Sequence, residues 1–352
     1  MHHHPHQKID YHAIIHDAWN SYNPKRFISS IEDLSVNVST NKVFKVYFAD
    51  NSYIMVKVSN FGTYENFKED HDIINVMANN LEQPYDLFLS SSLIKDNQVY
   101  IHRYDDQYIE VWLVFYRAVR IKESLPKKLN AYQIEKLGSE LAKFHKVCDS
   151  MTPVLPRTSK TLLKDVLALL RKLEKPDSDI KFKGNKKLIQ EQCETFINNC
   201  NDLNYHQFTE IPVFVDWNIG NFSVREDCSF FSRWDYDWFR TSSRVLDFYS
   251  FSRVVSEIGD KTDFSYTANQ LNESRFLLFL ESYHNIFPLT EKEIYFMKEA
   301  YRFFILNYVI YKGSFFFTKK YAEKLQQEAF DMYLPSIDTQ FNPELIIKHL
   351  NI

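Results

Sequence analysis

Glycine is scarce, with 6 residues in 352 against a usual share of about 7%. That scarcity excludes a collagen-like chain and a flexible Gly/Ser chain. It also excludes the G-x-G-x-x-G dinucleotide loop and the G-x-x-x-x-G-K-[ST] phosphate loop, which need glycines this chain does not have. Cysteine is sparse too. Cys148, Cys193, Cys200 and Cys228 show neither C-x-x-C spacing nor a Cys/His zinc pattern, which points to a reduced, cytoplasmic compartment. No run approaches the roughly eighteen apolar residues of a membrane span; the richest, Phe303 to Tyr311, is interrupted by Asn307 and reads as a buried helix. There is no basic excess. Lys plus Arg is 42 and Asp plus Glu is 46, a net charge of −4, which argues against nucleic acid or an anionic membrane as partner. The opening MHHHPHQKIDYH lacks the apolar stretch of a secretory signal and the Arg/Ser pattern of a mitochondrial one, and reads as a solvated tail or tag remnant.

What is present is an ordinary globular balance, 45% hydrophobic and 25% charged, long enough for two to three domains and a large core. Residues 10–30 look helical, with Ile14, Ile15 and Trp19 on one face. VFKVYFA (43–49) and YIMVKVS (53–59) are β-branched and aromatic runs around Asp50-Asn51-Ser52, a hairpin signal. Tyr64 to Leu81 carries Phe67, Ile73, Ile74 and Met77 at helical spacing. Strand-like runs follow at 87–94, 98–104 and 108–119. From Ala131 the pattern turns helical, over 134–147, 159–173 and 186–197, and again from Ser242 to about Tyr333. One β interlude (211–238) interrupts the helical part.

That interlude carries the chemistry. FSVR (222–225) and SFFSRW (229–234) flank Glu226-Asp227-Cys228, a hairpin with a polar turn. Antiparallel pairing brings Asn221, just before the first strand, beside Asp235, just after the second. Asp216 lies on the loop leading in. Three oxygen-bearing side chains thus converge at the open end of the hairpin, a donor set suited to Mg²⁺ with phosphate and water completing its shell. Phe214, Trp217, Trp234 and Trp238 surround them, and carboxylates in such company need something positive beside them.

These residues resemble a known family. V-F-V-D-W-N-I-G-N (213–221) is similar to the H-G-D-x-x-x-G-N catalytic loop of the aminoglycoside phosphotransferase and choline kinase superfamily. W-D-Y-D-W (234–238), with Arg244 and Asp247 downstream, resembles the I-D-Y-E-Y segment of choline kinases. S-T-N-K-V-F-K-V (39–46), Y-I-M-V-K-V (53–58) and L-G-S-E-L-A-K-F-H (137–145) are similar to the nucleotide-loop strand, the lysine-bearing strand and the helix ending in histidine, in the same order. The resemblance spans about 30 to 335. It implies an α+β, protein-kinase-like two-lobe fold. A small β-rich nucleotide-binding lobe would occupy 1–119, and a larger, mainly helical lobe with the catalytic β-hairpin and acceptor pocket 120–352.

The resemblance also implies roles. Lys57 would contact the ATP phosphates, held by an acid on the next helix, Glu69 or else Asp70. Adenine would lie along Phe115, Tyr116, Arg117 and Ala118. Asp216 would take or orient the proton of the acceptor hydroxyl, and Asn221 and Asp235 would hold Mg²⁺ against the β- and γ-phosphates. Asp237, Arg244 and Asp247 would support the loop from behind, Arg244 and Asp247 as a buried pair; His145 would be a packed structural histidine. Two positions depart from the pattern: the loop histidine is Phe214 here, and the following glycine is Val215. The phosphate-covering segment (roughly 35–42) contains no glycine. The implied activity is ATP-dependent, Mg²⁺-assisted phosphorylation of a hydroxyl on a small molecule: an amino alcohol, a sugar or an aminoglycoside-like compound. A nucleotide-binding module without turnover is the alternative.

Overall fold

Asp10 starts the first helix by accepting a hydrogen bond from the Ala13 N–H, and the chain then alternates between strands and helices as turn residues dictate. The computed structural model describes residues 9–106, 109–118, 120–259 and 265–352. The N-terminal histidines at 2–4 and 6 lie outside the described residues, as do Tyr108 and Val119 at the limits of an expected strand. The chain divides into two compact units. The first is Met1–Arg120 with Phe315–Thr318, and the second is Ile121–Ser314 with Lys319–Ile352.

In the first unit, helix α1 (Tyr11–Tyr22) is followed by β1 (Ile28–Asp33), β2 (Lys42–Phe48), β3 (Tyr53–Ser59), α2 (Tyr64–Asn80), the short hairpin β4 (Ile94–Lys95) and β5 (Gln98–Val99), then β6 (Ile101–Asp105) and β7 (Glu110–Tyr116). Five of the strands form an antiparallel sheet in the order β1-β2-β3-β7-β6. Asn51, at φ 59°, turns β2 into β3, a left-handed position that asparagine tolerates. Period-2 alternation divides β3 between the two faces of the sheet. Ile54, Val56 and Val58 join Trp19, Phe44, Phe48, Leu113 and Phe115 in a core that α1 covers. The opposite face belongs to α2: Phe67 packs on Trp112 with ring centroids 5.9 Å apart, and His71 is hydrogen-bonded to the Tyr116 hydroxyl.

The helix expected over 10–30 stops at Tyr22, because Pro24 breaks it, and residues 28–33 become an edge strand. Of the expected strand at 87–94 only Ile94 lies in a regular strand, at the start of β4; the 91–93 stretch lies along the end of β7, with Leu93 N–H donating to the Phe115 carbonyl at 2.8 Å and Arg117 N–H to that of Ser91 at 3.0 Å. The return of Phe315–Thr318 to this unit is a feature that a division at 119/120 does not contain. It rests on backbone pairing of Thr318 N–H to Val38 and Thr40 N–H to Phe316, with Phe61 against Phe316 at 4.1 Å.

The second unit is mostly helical. It contains α3 (Ala131–Met151), α4 (Leu162–Leu173), α5 (Ser178–Phe182), α6 (Lys186–Asp202), α7 (Phe248–Val255), α8 (Ser274–His284) and α9 (Glu291–Phe304), with further helices to Leu350. A capping box between Asn130 and Gln133 begins α3. Two short ribbons interrupt the helices. β8 (Glu210–Val213) pairs with β11 (Arg240–Ser243), and β9 (Phe222–Val224) pairs with β10 (Phe230–Arg233). The first ribbon is a finding beyond the expected pattern, in which helices resume at Ser242; the next helical turn begins at Arg244. The run 303–311 is helical and buried as expected, but from Ile305 to Tyr311 it widens into π-type turns. Among the described residues no helix is long and apolar enough to cross a membrane.

Candidate active site

The loop 214–221 joins the two ribbons and is held from behind by one carboxylate. The backbone N–H groups of Phe214 and Val215 both donate to Asp247 Oδ1, at 3.0 and 2.6 Å. The other oxygen of Asp247 lies 3.0 Å from His145 Nε2, and His145 Nδ1 lies 2.8 Å from the Tyr283 hydroxyl. A carboxylate only accepts, so Nε2 carries the proton and Nδ1 accepts from tyrosine. Asp247 and His145 are fully buried, and desolvation holds the histidine below its ordinary pKa despite its acidic neighbour. This anchoring matters because Val215 sits at φ 62°. A β-branched residue is strained there, by roughly 1–3 kcal/mol. It stands where the resemblance places a glycine, the residue that adopts such a backbone without steric cost.

At the mouth of the loop the three expected residues do come together. Asn221 Nδ2 donates to Asp216 Oδ2 at 3.0 Å, and Asn218 Nδ2 donates to Asp216 Oδ1 at 2.5 Å. Trp234 N–H donates to the Asn221 carbonyl at 3.0 Å, which closes the hairpin base and sets Asp235 at the same end. Asp235, at φ 66°, accepts from the Asp237 N–H at 3.3 Å. The carboxyl of Asp216 is pushed up to about 6, first by desolvation and then by the charge of Asp235, against the pull of Arg233 and Arg253. Two acids repelling each other in a desolvated corner invite a cation. Among the described residues no cluster of three or more His, Cys, Asp or Glu could hold a metal alone. Two carboxylates with one amide fit instead a hard divalent ion whose remaining ligands are phosphate oxygens and water.

The supporting residues divide differently from expectation. Arg244 and Asp247 are both buried but are not a pair. Arg244 makes a two-pronged contact with Glu293 at 2.6 and 2.9 Å and donates to the Phe287 and Pro288 carbonyls. It therefore fixes the start of α9, and of these two residues it is Asp247 that bonds to the loop. In the first unit, Lys57 is buried on the face of β3 that looks toward α2. Its register partner is Val114, and Met55 and Ser59, on the same face, pair with Tyr116 and Trp112. On α2, Asp70 lies amid the buried strip Phe67, His71, Ile74 and Met77 with one carboxylate oxygen sealed from solvent; Glu69 sits at the edge of that strip. Phe115 and Tyr116 are buried, whereas Arg117 and Ala118 are exposed. The Phe115 carbonyl and Arg117 N–H are already engaged by 91–93, so adenine contacts along this segment would fall beyond them.

Asn218, Arg233, Arg253 and the His145 bridge are site features that the sequence reading does not assign. Arg253 on α7 donates to Asn218 Oδ1 at 3.2 Å. Arg233 Nη2 donates to the Asp216 carbonyl at 2.7 Å. The signal for Arg233 is in the sequence, a cation inside the apolar run S-F-F-S-R-W; a buried charge there demands a partner.

No family model and no curated protein matches this sequence. Solved structures do. An amicoumacin kinase in complex with AMP-PNP and Ca²⁺ aligns over 96% of this chain and 99% of its own, at TM-score 0.61 and 11% identity. A microcompartment-associated aminopropanol kinase aligns over 94% and 99%, at TM-score 0.59 and 14% identity. An ADP-bound aminoglycoside phosphotransferase aligns over 91% and 98%, at TM-score 0.52 and 13% identity. The chain has the aminoglycoside phosphotransferase fold. That fold is a β-rich unit followed by a mainly helical one, and in this chain the Asp216 loop and its hairpin lie in the helical unit of that fold.

Proposed function

We propose that this protein is an ATP-dependent phosphotransferase that moves the γ-phosphoryl group to a hydroxyl of a small molecule. The observation that carries the reading is the junction of Asp216, Asn221 and Asp235 at one hairpin end, in a fold shared with an aminopropanol kinase, an amicoumacin kinase and an aminoglycoside phosphotransferase. Asp216 accepts the hydroxyl proton as the acceptor oxygen bonds to the γ-phosphorus and the bridging oxygen leaves with ADP. Asn221 and Asp235 are the residues that would hold Mg²⁺, which supplies charge neutralisation at the phosphates. Lys57 binds the phosphates, steadied by Asp70 or Glu69, and adenine lies near Arg117 and Ala118. Asp247 and Asp237 keep the acidic residues in register. The acceptor class we favour is amino alcohols and amino sugars, and the free, mostly buried cysteines suit a reduced cytoplasm.

The reading is tested by ATP consumption with Mg²⁺ over amino alcohols, amino sugars and macrolides. Transfer to any of them, lost in Asp216→Asn, supports it. Phe214 in place of the loop histidine favours a second reading, a nucleotide-binding module without turnover. Nucleotide binding with no consumption across the whole screen selects that one.

A further inference from the structure

We propose that Arg233 is the positioning residue of the Asp216 loop, a brace that acts where Phe214 replaces histidine. Arg233 ends β10 and is fully buried. Its guanidinium lies 4.6 Å from the Phe214 ring centroid and 4.4 Å from that of Trp217, two rings that meet edge to face at 5.9 Å and 80°. Its Nη2 donates to the carbonyl of Asp216 itself. One side chain therefore grips the loop two residues before the carboxylate, at it, and one residue after it.

The cost of this arrangement argues for a role beyond filling space. Burying a guanidinium is expensive, and an apolar side chain of the same volume often serves stability as well or better. Nε and Nη1 are buried and have no acceptor among the described residues. What offsets that loss is the pair of ring faces, since a desolvated cation over an aromatic face is favourable, and the nearby carboxylates. Phenylalanine at 214 supplies a flat apolar face on which a guanidinium stacks. The substitution at 214 and the arginine at 233 thus form one unit whose product is the aim of the Asp216 carboxylate. Misplacing such a group by about 1 Å can cost on the order of a hundredfold in rate.

The catalytic consequence rests on the phosphotransferase reading; the brace itself does not. In the full chain, Arg233→Met should speed amide hydrogen exchange across 211–222 by about tenfold, while α3 keeps its protection. With 1-amino-2-propanol as the acceptor probe, kcat should fall by about a hundredfold and the KM for Mg·ATP stay within about threefold, the split expected of a group that positions rather than binds. Loop exchange within about twofold of the unmodified protein, or a rise equal in the loop and in α3, overturns the brace. If the unmodified protein transfers no phosphate, the phosphotransferase reading fails and the exchange result still decides the brace. Should Arg233→Met not fold, Arg233→Lys keeps the charge and loses the planar fork. It should then speed loop exchange by about threefold, and unchanged exchange overturns the proposal.

Discussion

Asp247 and His145 face each other at 3.0 Å in the interior of the helical unit, neither exposed to solvent. The contact joins α3 to the turn before α7, and through the second oxygen of Asp247 it reaches the backbone just ahead of Asp216. Removing the carboxylate leaves two loop N–H groups and a histidine N–H buried without acceptors. Asp247→Ala should therefore destabilise the protein by about 2–4 kcal/mol, read as a lower denaturant midpoint with unchanged m-value. Asp247→Asn, which keeps one acceptor oxygen, should cost less.

His145 makes stability depend on pH. Burial depresses the folded-state pKa of His145, whereas the unfolded chain titrates near the ordinary value of about 6.5. Below that pH the unfolded state binds a proton that the folded state resists. The stabilisation is complete above pH of about 6.5 and is lost as pH falls toward the lower folded value, by at most about 1.4 kcal/mol per unit. Asp216 works the other way. Its folded carboxyl is raised to about 6, so its protonation stabilises the fold as pH drops from there. Comparing the protein with His145→Gln isolates the histidine: on going from pH 7.5 to 5.5 the variant should lose less stability than the unmodified protein.

Asp216→Asn separates chemistry from binding. Asparagine preserves volume and one acceptor but cannot take a proton from a hydroxyl. Phosphoryl transfer should fall by about a hundred- to ten-thousandfold, the general-base share of the rate, with Mg·nucleotide affinity within several-fold. Single-turnover transfer and fluorescent-nucleotide titration check the two halves. Transfer near the unmodified rate would remove Asp216 from the reaction.

The parts of this arrangement that were legible in the sequence are those whose information is local. The 42–59 hairpin and the 222–233 hairpin announce themselves through β-branched runs around short polar turns, and the carboxylates at the second follow from counting residues. What escaped is held together over long separations. β1 is an edge strand of sequence I-S-S-I-E-D, mostly exposed and without clean alternation. β11 is R-T-S-S, a strand because β8 lies beside it, which overrides its propensity. The partner of Arg244 is 49 residues away and no spacing rule finds it. Arg233 was visible as a misplaced cation, but its meaning depends on two rings brought to it by the loop.

Helix α2 carries four acids, and Glu69 and Asp70 are the two candidates for the partner of Lys57. A lysine that meets phosphates from a buried strand position needs a fixed carboxylate to hold its chain extended and charged. Lys57 stands on the sheet face that α2 covers, and Asp70 lies near the middle of the buried strip of that helix, about 100° round from Glu69 at 3.6 residues per turn. Asp70→Asn should then raise the KM for Mg·ATP by about tenfold, as the loss of a charge-assisted contact of ~1.5 kcal/mol requires. Lys57→Met should raise it further. Glu69→Gln should stay within about twofold of the unmodified protein, since a partly exposed acid adds little. Nucleotide titration of the three variants decides the assignment. A larger loss in Glu69→Gln than in Asp70→Asn would move the role to the neighbouring acid.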